Sequence, residues 1–149
     1  MWQGYRRSLP HPFLKVAFLN VGQGDSIFIE SPTGNQLMID GGPAHTVLGE
    51  LKKVIPMHDR SIDMLVVTNP DTDHYAGFID LLKNFKVDHV MEPGTLSDTQ
   101  TYKIFKEDVM SEHASTTLAR RGMIIHVGGG ADLHILFPDN DVSTLKTND

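Results

Sequence analysis

Apolar and polar positions alternate in short blocks once the chain passes Lys15. Lys15 to Asn20 and Ser26 to Glu30 are rich in β-branched and aromatic residues and flank a Gly22-Gln23-Gly24-Asp25 turn. A second turn, Ser31-Pro32-Thr33-Gly34-Asn35, precedes a third such run from Gln36 to Asp40, and the three together predict an antiparallel meander. Beyond Gly41-Gly42-Pro43, Val47, Leu48, Leu51, Val54 and Ile55 recur at helical spacing up to Pro56. Ile62 to Thr68 is almost continuously apolar, the pattern of a strand covered on both faces. A polar segment, Asn69-Pro70-Asp71-Thr72-Asp73-His74, then leads into a helix from about Tyr75 to Phe85, with Phe78, Leu81, Leu82 and Phe85 along one face.

Val87 to Met91 reads as a further strand. The spacing next predicts a longer helix from Asp98 to Arg120, with Tyr102, Phe105, Val109 and Leu118 turned inward and Gly122 as its C-cap. Met123 to Val127 and Asp132 to Phe137, joined by Gly128-Gly129-Gly130, form a terminal hairpin. This order of elements indicates an α/β sandwich with a mixed sheet. Residues 1–12 carry little pattern and are expected to be a surface lead-in, leaving 13–149 as one domain. The polar stretch from Asp139 to Asp149 has no turn or cap that would finish a domain, so its C-terminal part is expected to be missing.

Composition narrows the chemistry. The 149 residues include no Cys, so disulfides and thiolate metal or redox sites are excluded and catalysis must rest on carboxylate, imidazole, hydroxyl or backbone groups. A net charge of −6 argues against holding nucleic acid or anionic lipid by a broad positive field, although a bound cation can reverse the sign locally. Arg6 and Arg7 are followed by Pro10, His11 and Pro12 rather than by the apolar run of a secretory signal. No apolar stretch approaches the roughly 20 residues of a membrane helix.

Asp71, Asp73 and His74 are the leading candidates for chemistry, on a loop directly after a buried strand. Carboxylates and an imidazole converging there can bind a divalent cation that offsets their mutual repulsion. The same residues allow a plainer reading, in which Asp71 or Asp73 caps the following helix and His74 is a surface residue of its first turn. Gly22-x-Gly24 lacks the third glycine and the following helix of a dinucleotide loop, and is read as a tight turn. Ser26 has no nucleophile-elbow context. His45 and His58 are read as surface residues, His89 as a core or surface residue, and Arg120-Arg121 as a charge pair at a helix end.

Three segments in order change the weight of the loop: Val21-Gly22-Gln23-Gly24-Asp25-Ser26, Ile39-Asp40-Gly41-Gly42, and Val67 through Asn69-Pro70-Asp71-Thr72-Asp73-His74 to Gly77. Together they resemble the metallo-β-lactamase superfamily, most of all the hydrolase-like domain of ComEC-type DNA-internalisation competence proteins, from about Phe13 onward. The resemblance implies an αββα four-layer sandwich with one or two divalent ions, Zn²⁺, Mn²⁺ or Mg²⁺, at the ends of the central strands. It implies Asn69, Asp71, Asp73 and His74 as the metal residues, with Asp73 and His74 the catalytic pair. Asp40 would support the loop from beneath, and Gly22, Gly24, Asp25, Gly41 and Gly42 would form structural turns.

Asn69 stands where the family loop has a histidine, which makes the shell oxygen-rich and leans it toward Mn²⁺ or Mg²⁺. The family's later histidine and aspartate motifs have no counterpart before Asp149. The resemblance therefore implies a metal-dependent hydrolase in the parent protein, acting on a phosphodiester or a small molecule, with weak or no turnover by this chain alone. The alternative is a metal-site-eroded interaction module of the same fold. Exposed strands of a truncated sandwich suggest a homodimer. A cytoplasmic location is expected unless the chain is cut from a membrane competence protein.

Overall fold

In a computed structural model of the chain, residues 11–145 are described. Three short strands, β1 (Lys15–Phe18), β2 (Ile27–Glu30) and β3 (Gln36–Ile39), pair antiparallel as the meander predicts. From there the chain adds parallel strands through helical crossovers: α1 (Val47–Leu51), β4 (Ser61–Val66), α2 (Thr72–Leu82), β5 (Lys86–Glu92), α3 (Gln100–Glu112) and β6 (Ser115–Leu118). The result is one six-stranded mixed sheet in the order β1-β2-β3-β4-β5-β6, and a separate antiparallel hairpin of β7 (Ile124–Gly128) and β8 (Ala131–His134).

The pleat sends alternate residues to opposite sides of the sheet. Phe28, Met38, Leu65 and Val90 face the helices and meet Val47, Leu51, Phe78, Leu81, Phe105 and Val109 in the main core. Ile29, Leu37 and Met64 point the other way and pack against Ile125, Val127 and Leu133 of the hairpin. Helices, large sheet and small sheet thus supply three successive layers of the expected sandwich. No helix among the described residues is long and apolar enough to cross a membrane.

One predicted element is corrected. The helix expected from Asp98 to Arg120 ends at Glu112, where His113 takes a left-handed backbone (φ 60°). The apolar stripe of Tyr102, Phe105 and Val109 does not continue past that point. The following Ser-Thr-Thr-Leu run is β-branched and pairs with β5, with His89 opposite Ser115 and Glu92 opposite Leu118. Leu118 is consequently an exposed strand residue rather than an inward helical one. Gly122 is not a C-cap but a turn residue ahead of β7, its N–H donating to the Ile135 carbonyl at 2.9 Å. By the same change, Arg120 and Arg121 are not a helix-end pair. Arg120 donates to the Pro93 carbonyl and Arg121 pairs with Asp139.

Smaller differences lie at element ends. The first helix is only Val47–Leu51, continued by turns to Ile55, and α2 begins at Thr72 rather than near Tyr75, which brings Asp73 and His74 into its first turn. Thr99 caps α3 by accepting the Tyr102 N–H. Of the expected lead-in, residues 1–10 lie outside the described residues, as does the end of the polar tail. His11 is joined to the meander by a backbone bond to Pro32.

Candidate metal centre

Parallel pairing of β3 with β4 sets Ile39 opposite Val66, so the two strands deliver Asp40 and Thr68 to the same sheet edge. The Asp40 N–H donates to the Val66 carbonyl at 2.9 Å, and Asp40 itself has a left-handed backbone (φ 54°) that turns the chain toward α2. There Gly41 and Gly77 meet. The Gly41 N–H donates to the His74 carbonyl and the Gly77 N–H to the Gly42 carbonyl, while a Cβ on Gly77 would stand 2.0 Å from the Gly41 oxygen. Only two glycines allow the start of α2 to sit this close to the end of β3. That approach carries His74 onto Asp40.

Asp40 is almost fully buried, at 2% exposure. Its Oδ1 accepts the Thr68 N–H at 2.8 Å, and its Oδ2 accepts the Thr68 hydroxyl and lies 2.9 Å from His74 Nδ1. Burial raises the Asp40 pKa above the ordinary carboxylate value, and the hydrogen bonds from His74 and Thr68 offset that only in part. Burial alone would lower the His74 imidazole. The Asp40 hydrogen bond and charge, reinforced by the charges of Asp73 and Asp25, outweigh it and leave the His74 pKa raised.

The second imidazole nitrogen, Nε2, faces Asp73 Oδ1 at 4.0 Å. The other oxygen of Asp73 is 3.4 Å from the Gln23 amide nitrogen. The Gly22-Gln23-Gly24-Asp25 turn lies directly over Asp73, since a Cβ on Gly24 would come within 1.9 Å of the Asp73 carbonyl oxygen, and Gly22 and Gly24 both take positive φ. Asp71 occupies the N-cap position of α2 without making a side-chain cap bond. Its Oδ2 instead accepts the Asn69 side-chain N–H at 2.8 Å. The capping alternative therefore does not describe the Asp71 side chain.

The loop residues thus fall into an Asp40-His74-Asp73 chain and a separate Asn69-Asp71 pair. Among the described residues, no three carboxylate, imidazole or thiol side chains converge into a metal-holding group. Two donors alone, the outward imidazole nitrogen of His74 and a carboxylate oxygen of Asp73, face each other at 4.0 Å. Sequence reasoning did not select Gln23 or Thr68. Thr68 could have been found as the polar residue closing the buried strand, and Gln23 as the amide between two turn glycines. Elsewhere, His45 pairs with Asp80 and His126 with Asp132 on exposed surfaces, and His89 contacts Ser115.

Beside this edge, between the large sheet and the hairpin, lies a cavity of about 330 Å³. Thr68 lines it together with Ile39, Val66, Pro93, Ile135 and Phe137, so its wall is mainly apolar.

Comparison with known proteins agrees with this architecture. A family profile described as the metallo-beta-lactamase superfamily matches residues 19–142, which include both strand edges and the whole loop. A curated relative, ComE operon protein 3 of Bacillus subtilis (strain 168), is 28% identical over 153 aligned positions covering 90% of this chain. The match spans only 19% of that relative's own length. The meander, the parallel crossovers and the profile match together establish that the chain belongs to the metallo-beta-lactamase superfamily.

Proposed function

We propose that this chain is a metal-dependent hydrolase domain whose working edge is formed by Asp40, Asp73 and His74. The observation that supports this reading best is the Asp40–His74 contact at 2.9 Å. A buried carboxylate bonded to one imidazole nitrogen fixes the ring and leaves the other nitrogen as a lone-pair donor, the arrangement that serves metal-ligating histidines. Thr68 holds Asp40 in turn, so the orientation is passed outward from the sheet core.

A divalent ion held by Asp73 and His74 would supply a water of lowered pKa and polarise the scissile group. The chain's own residues have separate tasks. Asp73 orients a water and accepts its proton at the carboxylate, Gln23 steadies Asp73, and the apolar cavity beside Thr68 excludes bulk water from one flank. A phosphodiester is the substrate class that the ComEC-type resemblance favours.

A second reading, a non-catalytic interaction module of the same fold, has one observation in its favour. The loop lacks a converged group of three acid or imidazole donors among the described residues. Metal content of the purified chain, followed by titration with Mn²⁺ and with Zn²⁺ beside a His74→Ala control, separates the two. Metal uptake by the wild type that is lost in the control is the outcome expected of the hydrolase domain. Equal metal uptake by wild type and control removes the hydrolase reading.

A further inference from the structure

We propose that the cavity between the large sheet and the hairpin binds an uncharged aromatic group of the substrate, while the bond to be cut lies at the Asp73–His74 edge. This rests on the hydrolase reading given above and goes further by naming the part of a substrate that a second site takes.

The cavity measures about 330 Å³ and lies at the carboxyl ends of β4 and β5, where Val67, Thr68 and Pro93 line it. That is the end of an open α/β sheet at which ligands bind, and mainly apolar cavities of about 300–1,000 Å³ hold small molecules. Thr68 ties the cavity to the candidate site. It lines the cavity and donates to both oxygens of Asp40, and the loop carrying Asp73 and His74 begins at the next residue.

The wall decides what can enter. No Asp, Glu, Lys or Arg lines it. Its backbone groups are largely committed elsewhere: the N–H groups of Val67 and Ala119 donate to the Met91 and Glu92 carbonyls at 2.8 Å, and that of Ile135 to the Met123 carbonyl at 2.9 Å. The carbonyls of Pro93 and Pro138 accept from Arg120 and Arg121, and proline has no N–H. Both donors of Thr68 go to Asp40. A charged group would lose its water here without replacement, whereas an apolar group gains by leaving water. The Asp40 carboxylate beyond Thr68 adds repulsion against an anion. A phosphate is thus refused by the cavity and left at the edge.

An aromatic ring matches this lining. Phe137, 70% exposed, offers a ring to pack on, and Ile39, Val66 and Ile135 add aliphatic wall. The wall is also built in advance. The Gly122 N–H holds the Ile135 carbonyl at 2.9 Å, the Arg121 N–H holds the Pro138 carbonyl at 2.8 Å, and Arg121 pairs with Asp139.

Titration of the full chain with indole in EDTA, followed by amide chemical shifts, tests the site apart from any metal. Indole should bind saturably with a Kd below about 1 mM and shift the Val67, Thr68 and Ile135 amides. Indole-3-acetate, the same ring with a carboxylate, should bind at least about tenfold more weakly. Ala119→Leu, which fills the cavity, should weaken indole by at least about fivefold. Phe137→Ser alters only an exposed ring, so it tests the site without endangering the fold, and it should weaken indole as well. No saturable binding, shifts confined to other parts of the chain, equal affinity for indole-3-acetate, or affinity unchanged in both variants would each overturn the inference while leaving the hydrolase reading in place. Indole bound as expected in a chain whose metal uptake equals that of His74→Ala would keep the aromatic site and remove the hydrolase reading alone.

Discussion

His74 Nδ1 lies 2.9 Å from Oδ2 of Asp40, joining the first turn of α2 to the end of β3 across 34 residues of sequence. The contact depends on the left-handed backbone of Asp40 and on the glycine crossing at Gly41 and Gly77, so backbone geometry and site chemistry share the same few positions.

Replacing Asp40 tests both roles. Asp40→Ala strips the acceptor from the Thr68 N–H and hydroxyl and from His74, and places a Cβ-bearing residue at φ 54° without a polar side chain that tolerates it. Buried donors left unsatisfied cost about 1–3 kcal/mol each, so a loss on the order of 3 kcal/mol is expected in urea unfolding. Asp40→Asn retains an acceptor and tolerates the left-handed region, so it should lose less stability while weakening metal binding by about 10–100-fold. Equal stability of Asp40→Ala and wild type would refute this account of the buried carboxylate.

The His74–Asp40 contact also sets a pH dependence for the metal-free chain. The folded His74 pKa is raised above its unfolded value of 6.5, so the stability it contributes is full below that value and disappears as pH rises through the folded pKa. Asp40 is raised from 3.8 and acts in the same sense at lower pH. In EDTA, the melting temperature should therefore fall on raising the pH from about 6 through neutrality, and His74→Gln should flatten that slope. A melting temperature that climbs over the same interval, or a slope unchanged in His74→Gln, contradicts the assignment.

Two glycines in helices should respond to the same substitution with opposite signs. Gly77→Ala drives a methyl into the Gly41 carbonyl oxygen, 2.0 Å away before relaxation, and overpacking of this kind costs about 1–3 kcal/mol. Gly49 of α1 is exposed and meets nothing within 4 Å, so Gly49→Ala should stabilise by about 0.4–1 kcal/mol. Thermal unfolding of the two variants side by side decides the matter, since matching shifts would mean the close approach at Gly41 is absent.

Self-association follows from the far edge of the sheet. Among the described residues β1 pairs only with β2, and Phe18 and Val16 on it are 80% and 46% exposed. An apolar edge strand is a template for pairing with a second copy. Sedimentation equilibrium should show concentration-dependent dimerisation that Phe18→Lys reduces. A monomer at the highest soluble concentration removes the proposal.

The meander and the α2 loop were legible in the sequence because turn glycines and apolar runs mark them locally. The sheet edge of β6 was not legible. Ser115 to Leu118 is a strand only because β5 offers a free edge, and the helix before it ends at a histidine in a left-handed conformation that carries no glycine signal. For the candidate site, Asp71, Asp73 and His74 were visible as a cluster of donor types. Their division into two pairs was not, because it depends on which side chain turns toward Asn69 and which toward Asp40, and sequence spacing cannot distinguish those orientations.

The six sheet strands lie side by side in the order in which they occur along the chain. Each strand joins the one before it in sequence, so no strand must wait for a later one before it can enter the sheet. A chain emerging from the ribosome can therefore close the Asp40–His74 contact as soon as α2 settles on β3 and β4, before α3 and the hairpin have been made. The chemistry-bearing edge belongs to the portion of the molecule that can assemble first.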